Sequence, residues 1–193
     1  MAIKSAKVAG LSVNPASFEG AGSFLDSVEI KNFPPDPANA YDNGRHRYGY
    51  LNPSMNEAKE RPMRTAIGCL CRQFLGTPKD ELIGGVEWFM NTPGNRGGEL
   101  PCKEKVNLYY WYYGTLCTFQ QGGDIWKRWN TAMKTTLVDL QRKGGDDDGS
   151  WDPENTPGGG NAWGAMWGRV GQTALSALCL EVYYRYMQLV PDK

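Results

Sequence analysis

An excess charge of either sign is missing from this sequence, in which 21 lysines and arginines balance 21 aspartates and glutamates. With no net field and no basic run, nothing draws the chain to nucleic acid or to an anionic membrane surface. Histidine is nearly absent as well, since His46, set between Arg45 and Arg47, is the only one. The usual general base and the usual zinc ligand are therefore scarce. No apolar segment approaches the roughly 20 residues needed to span a bilayer. Met1-Ala2-Ile3-Lys4 does not open a signal peptide. Cysteine is present only as an odd set of 5, Cys69, Cys71, Cys102, Cys117 and Cys179, mostly inside apolar patterns. These read as free thiols of a reducing, cytoplasmic compartment and not as a disulfide framework. A Gly-x-Ser-x-Gly elbow, a phosphate-binding loop, a dinucleotide fingerprint and a Cys/His pair at catalytic spacing are all lacking, so no nucleotide or other cofactor is expected.

What is present is core material, with hydrophobic residues at 40% and aromatics at 12%, ample for a globular chain. The clearest pattern runs from Asp124 to Lys143, where Ile125, Trp126, Trp129, Met133, Leu137 and Leu140 recur at helical spacing with charged residues between. It predicts a one-faced helix, capped by Asp124 and stopped by Gly144-Gly145. The segment before it, Asn107 to Gln121, is apolar in every helical direction and should be enclosed. Gly122-Gly123 joins the two into a helical hairpin.

The couplet recurs. Pro62 to Leu75 and Pro78 to Asn91 form a second hairpin around Gly76, and Ala2 to Val8 with Pro15 to Val28 form a weaker one with Phe18, Ala21, Phe24 and Leu25 on its face. Gly171 to Met187, with an Ala174, Leu175, Leu178 and Val182 stripe, begins a fourth. Thr65-Ala66-Ile67-Gly68-Cys69-Leu70-Cys71 also matches Thr173-Ala174-Leu175-Ser176-Ala177-Leu178-Cys179 position by position. A period of about 50 to 60 residues with two helices per unit means stacked hairpins, each unable to bury its face alone. Long Gly- and Pro-rich connections, Glu29 to Arg61 and Gly144 to Arg169, carry Tyr48-Gly49-Tyr50 and Gly149-Ser150-Trp151, which read as braces between hairpins.

Leu137-Val138-Asp139-Leu140-Gln141, followed by Asp148-Gly149-Ser150-Trp151, resembles the QW repeat of squalene and oxidosqualene cyclases. There a glutamine ending an outer helix meets the tryptophan of the following turn; here Gln141 and Trp151 would take those roles. Together with the aromatic helix from Asn107 and the ending from Thr173, the chain resembles the bacterial prenyltransferase/squalene-oxidase-repeat proteins over nearly its whole length. The resemblance implies an all-α fold, a partial α/α toroid of about three and a half hairpins spanning 1–193 as a single domain. It also implies a cavity lined from the aromatic helix, with Tyr109, Tyr110, Trp111 and Tyr113 against an apolar, isoprenoid-like ligand, unless those rings only fill the core.

The chemistry of that family is not found in these residues. Class II cyclases protonate their substrate from an Asp-x-Asp-Asp element in an apolar cavity, whereas Asp146-Asp147-Asp148 lies in a polar loop where an acid is solvated. The alternation of Asp146, Asp148, Ser150, Asp152 and Glu154 fails as a calcium loop, because Trp151 and Pro157 stand where glycine and glutamate are needed. Cys69 and Cys71 are two apart on a helix and face apart, which excludes a shared zinc. No catalytic and no metal residue is assigned. The expectation is a repeat module that binds an apolar ligand or a protein partner; the alternative is the carboxyl-terminal part of a cyclase-like enzyme whose acid lies upstream of Met1.

Overall fold

The computed structural model describes residues 1–35, 37, 40, 43–53, 62–91, 100–153 and 164–185. Every regular element among them is helical. In chain order they are α1 (Ala2–Val8), α2 (Pro15–Val28), α3 (Met63–Leu75), α4 (Lys79–Asn91), a 3-10 turn (Lys103–Lys105), α5 (Leu108–Gln121), α6 (Gly123–Leu140), α7 (Gly164–Leu180) and α8 (Val182–Arg185). The chain folds as two compact units, Met1–Gly98 and Glu99–Lys193. No helix among the described residues is long and apolar enough to cross a membrane.

In the first unit α3 packs on α4 and on α2. Pro15 opens α2, where a missing N–H costs nothing, and the Asn14 side chain caps it by accepting from Ala16 N at 3.0 Å. Gly76, in the left-handed region at φ 96°, closes α3, and the Thr77 amide bonds Arg72 O at 3.0 Å. The core is built on Leu70, Leu82, Val86, Phe89 and Met90. The weak amino-terminal hairpin differs from expectation: α1 buries nothing, and of the α2 stripe Leu25 is buried while Phe24 is exposed.

Between α2 and α3 the loop folds inward. Ile30 N donates to Arg47 O at 2.8 Å and Gly49 N to Val28 O at 3.0 Å, an isolated antiparallel bridge that places Tyr48 against Gly68 of α3. Arg47, 0% exposed, lies over the rings of Trp88 (4.7 Å) and Phe33 (5.5 Å) and donates to Arg45 O at 2.6 Å. A cation can be carried there because the guanidinium is weakly hydrated and meets two aromatic faces.

His46 is 3% exposed and takes the left-handed conformation, φ 58°, unusual for a residue with a side chain. Its Nδ1 is hydrogen-bonded to the Tyr48 hydroxyl at 3.0 Å, and that hydroxyl accepts from Arg72 Nε at 3.2 Å. Glu29 accepts from the His46 backbone N–H at 3.0 Å and pairs with Arg72 at 3.4 Å. Burial, with Arg45 and Arg72 adding to it, holds the imidazole below its ordinary value of 6.5 against the opposing pull of Glu29 and Glu81. A group whose folded value is depressed binds more protons when unfolded, so this stability is present above about pH 6.5 and is lost as pH falls below it. The urea midpoint of this unit should therefore drop from pH 7.5 to 5.5 in the wild type. It should drop distinctly less in His46→Asn, a residue that tolerates the same backbone. Identical pH dependences in the two proteins would refute the assignment.

In the second unit α5 packs between α6 and α7. As its all-round apolarity requires, α5 buries Leu108, Tyr110, Trp111 and the whole run from Gly114 to Gln121. The α5–α6 hairpin is fixed by Trp129, whose ring lies on Gly114 and whose Nε1 donates to Thr115 Oγ1 at 2.8 Å. α6 buries Ile125, Trp129, Met133 and Leu137 as expected. Asp124 does not cap it; Gly122 is the capping position and Asp124 pairs with Lys127 in the first turn at 3.1 Å. α7 begins earlier than its stripe predicts, breaks at Gly168 (φ 57°, ψ −163°) and ends at Leu180. Of the expected stripe Val182 is buried, Leu175 and Leu178 are half-buried and Ala174 is exposed, while Gln172, Ser176 and Cys179 are buried as well. Burial pushes the Cys179 thiol up to about 12.

Candidate functional site

The site arises where α6 ends. Gln141 leaves the helix in extended conformation (φ −65°, ψ 131°), three residues before the glycines expected to stop it. The acidic loop then closes on itself, with Gly144 N donating to Asp148 Oδ1 at 2.8 Å and Asp148 N to Gly145 O at 3.2 Å. Two main-chain bonds, Gly149 N to Arg142 O (3.0 Å) and Arg142 N to Ser150 O (2.9 Å), bring the chain back beside its exit. Gln141 Nε2 donates to Gly149 O at 2.9 Å, so the glutamine secures the backbone that delivers the tryptophan. Trp151 is 7% exposed. Its Nε1 donates to Leu137 O at 2.8 Å, answering a helix-end carbonyl, and its backbone N donates to Thr173 Oγ1 of α7 at 3.2 Å.

Arg169 completes the loop from α7, donating to Ser150 Oγ (3.0 Å) and Asp152 (2.8 Å) and pairing with Asp147 at 3.2 Å. The three aspartates of the 146–148 run thus shape a turn: Asp146 and Asp148 are exposed, and Asp147 faces a guanidinium. Glu154 and Pro157 lie outside the described residues, as do Gly158 to Gly160 and Tyr186.

Inside this loop lies a cleft of about 380 Å³. Val106, Leu108, Leu137, Leu140 and Trp151 form its apolar part, and Asp139, Arg142, Lys143 and Asp152 set two negative charges against two positive ones. The carboxylates are engaged, Asp139 by Lys103 at 2.8 Å and Asp152 by Arg169 at 2.8 Å. Lys143 donates to Gln141 Oε1 at 3.1 Å. Gln172 of α7 also lines the cleft. It is 1% exposed, and neither its Nε2 nor its Oε1 has a hydrogen-bond partner in the protein. A buried amide left unmet costs about 1–3 kcal/mol at each group, so its retention calls for an explanation.

Of the aromatic residues singled out on α5, Tyr110 and Trp111 are buried, while Tyr109 and Tyr113 are half-buried. Tyr110 meets Trp129 edge-on at 5.5 Å, Tyr109 meets Tyr113 at 4.9 Å, and Tyr109 lies 6.2 Å from Trp167. Leu108, at the foot of the same helix, is the α5 residue that reaches the cleft. On α8, Tyr184 is exposed and Tyr183 packs half-exposed on Phe119 and Trp126, hydrogen-bonded to Asn130. Sequence reasoning missed Gln172 and Ser176, because a polar residue on an apolar helix is ordinarily placed toward solvent. Their spacing of four, continued by Cys179 three further on, was the available signal. Among the described residues no group of three His, Cys, Asp or Glu side chains is placed to hold a metal ion. No family model, curated protein or solved structure matches this chain.

Proposed function

We propose that this protein is a binding module built on a helical-hairpin repeat of the kind found in squalene cyclases and protein prenyltransferases, with the cleft beneath Trp151 as its ligand site. The observation that carries the reading is a 380 Å³ cleft in which an apolar wall meets charged side chains of balanced sign. That volume falls in the range of small-molecule sites, which combine apolar walls with a few placed polar groups. The repeat and the partial toroid draw support from the two hairpins, α3–α4 and α5–α6, and from a helix exit used in both units. After α2 and again after α6 the chain turns extended at the capping residue, makes a loop, and returns an aromatic side chain, Tyr48 or Trp151, beside the exit.

The cleft's carboxylates are both engaged by cations, so binding suits it better than proton transfer. Ligand-induced changes in amide chemical shifts should therefore cluster at residues 137–143, 151–152 and 172. Squalene and farnesyl diphosphate should be recovered unchanged after incubation with the protein. Turnover of either compound, or shift changes centred on Tyr109 and Tyr113 with the cleft silent, would overturn the reading.

A further inference from the structure

The polar groups of the cleft are unequally occupied, which decides what it can hold on the reading that it is a ligand site. Both carboxylates are met by cations from outside the lining, Asp139 by Lys103 and Asp152 by Arg169, each at 2.8 Å. Gln141 is satisfied at both ends of its amide, donating to Gly149 O at 2.9 Å and accepting from Lys143 Nζ at 3.1 Å. The amide of Gln172 lies beneath the surface, where no ligand reaches it. Arg142 and Lys143 are left with donors unspent. Arg142 Nη1 stands 3.6 Å from Asp152 Oδ2, past hydrogen-bond reach, and the Lys143 ammonium meets only the neutral oxygen of Gln141. These contacts also place both charged ends at the cleft, because Asp152 and Gln141 belong to its lining.

The charge, counted with those partners, favours an anion. Lys103, Arg142, Lys143 and Arg169 stand against Asp139, Asp147 and Asp152, an excess of one positive charge. Asp146 and Asp148 are outside the lining and exposed, where water and salt screen them. An excess of one suits a single carboxylate, whose two oxygens accept from a guanidinium and an ammonium together, whereas a diphosphate overshoots it. Leu137, Leu140 and Trp151 offer apolar surface in the same cleft to the rest of the molecule.

We infer that the cleft takes a small organic acid, a carboxylate on a compact apolar body, and that Arg142 and Lys143 are the residues that receive the carboxylate. The guanidinium and the ammonium donate to its oxygens, and the body lies on the indole and the two leucines. Nothing covalent changes.

The test uses the full chain with 4-phenylbutyrate as probe, 4-phenylbutanamide as its uncharged counterpart, and acetate as the charge without the body. Calorimetric titration should show phenylbutyrate binding about tenfold more tightly than the amide, on the order expected of two ion pairs at a partly exposed site. Added salt should narrow that margin, and acetate should bind far more weakly than the probe. Substituting both cations, Arg142→Gln with Lys143→Gln, should abolish the margin and leave the urea midpoint near the wild-type value, since both side chains are exposed. A margin that persists in this double variant, or acetate binding as tightly as phenylbutyrate, overturns the inference. If phenylbutanamide shifts the resonances of residues 137–143 and 151–152 as strongly as the acid does, the anion site falls and the binding module stands. If neither compound shifts them, both fall.

Discussion

Replacing Trp151 by alanine should destabilise the second unit by about 3–5 kcal/mol, the cost of emptying a buried indole position. The ring is 7% exposed and spans the end of α6, so its removal joins the space it fills to a cleft already there. Little can collapse into the gap, because the backbone on either side is tied down, at Ser150 by Arg142 and Arg169 and at Trp151 itself by Thr173. Trp151→Phe separates the contributions. It keeps most of the apolar contact and gives up the bond from Nε1 to Leu137 O, but that carbonyl retains the Gln141 backbone N–H at 3.1 Å. With the acceptor still satisfied, the phenylalanine variant should lose only about 1 kcal/mol beyond its change in volume. Urea unfolding by near-ultraviolet circular dichroism, with hydrogen exchange of the last turn of α6, measures both. An alanine variant no less stable than the phenylalanine one would show that the indole braces nothing.

How far the sequence foretold these features depended on whether a local signal or a distant contact decided them. Helix limits were legible where Pro and Gly punctuate the chain, as at Pro15, Gly76 and Gly122, because those residues act through their own backbone. The end of α6 was misplaced because it is set by the returning strand of its loop, in particular the Arg142–Ser150 pairing, and no residue at 141 announces it. Gln141 and Trp151 could be named together from their resemblance to a known repeat, but the bond that relates them runs through Gly149 O.

The buried face of α7 was misjudged for a different reason. Apolarity favoured Ala174, Leu175, Leu178 and Val182, of which Val182 is fully buried, whereas α7 also buries Gln172 and Ser176, against the ordinary transfer preference of those side chains. His46 and Arg47 look like the exposed loop residues that their neighbours suggest. Only the assembled unit shows Phe33, Trp88 and Tyr48 around them.

Gly68→Ala should damage the first unit out of proportion to its size, lowering its stability by about 1–3 kcal/mol or more through overpacking. A Cβ at Gly68 would lie within 2.6 Å of Tyr48 Cγ and overlap the ring beyond it. The tyrosine has nowhere to go. Its hydroxyl is held between Arg72 and His46, at 3.2 and 3.0 Å, and its backbone belongs to the bridge with Glu29. Either the ring leaves, breaking that network and uncovering His46, or α3 shifts away from the loop; both expose core. Gly22 on α2 makes the internal control, since a Cβ there meets only Leu75 Cδ1 at 3.9 Å. Gly22→Ala should stabilise by about 0.5–1 kcal/mol through helix propensity alone, the opposite sign from the same chemical change. Adding Tyr48→Leu to Gly68→Ala should restore part of the loss, because the overlap disappears with the ring. Equilibrium urea unfolding of the four proteins tests the set, and a Gly68→Ala variant as stable as wild type would mean that Tyr48 does not pack on α3 as the structure places it.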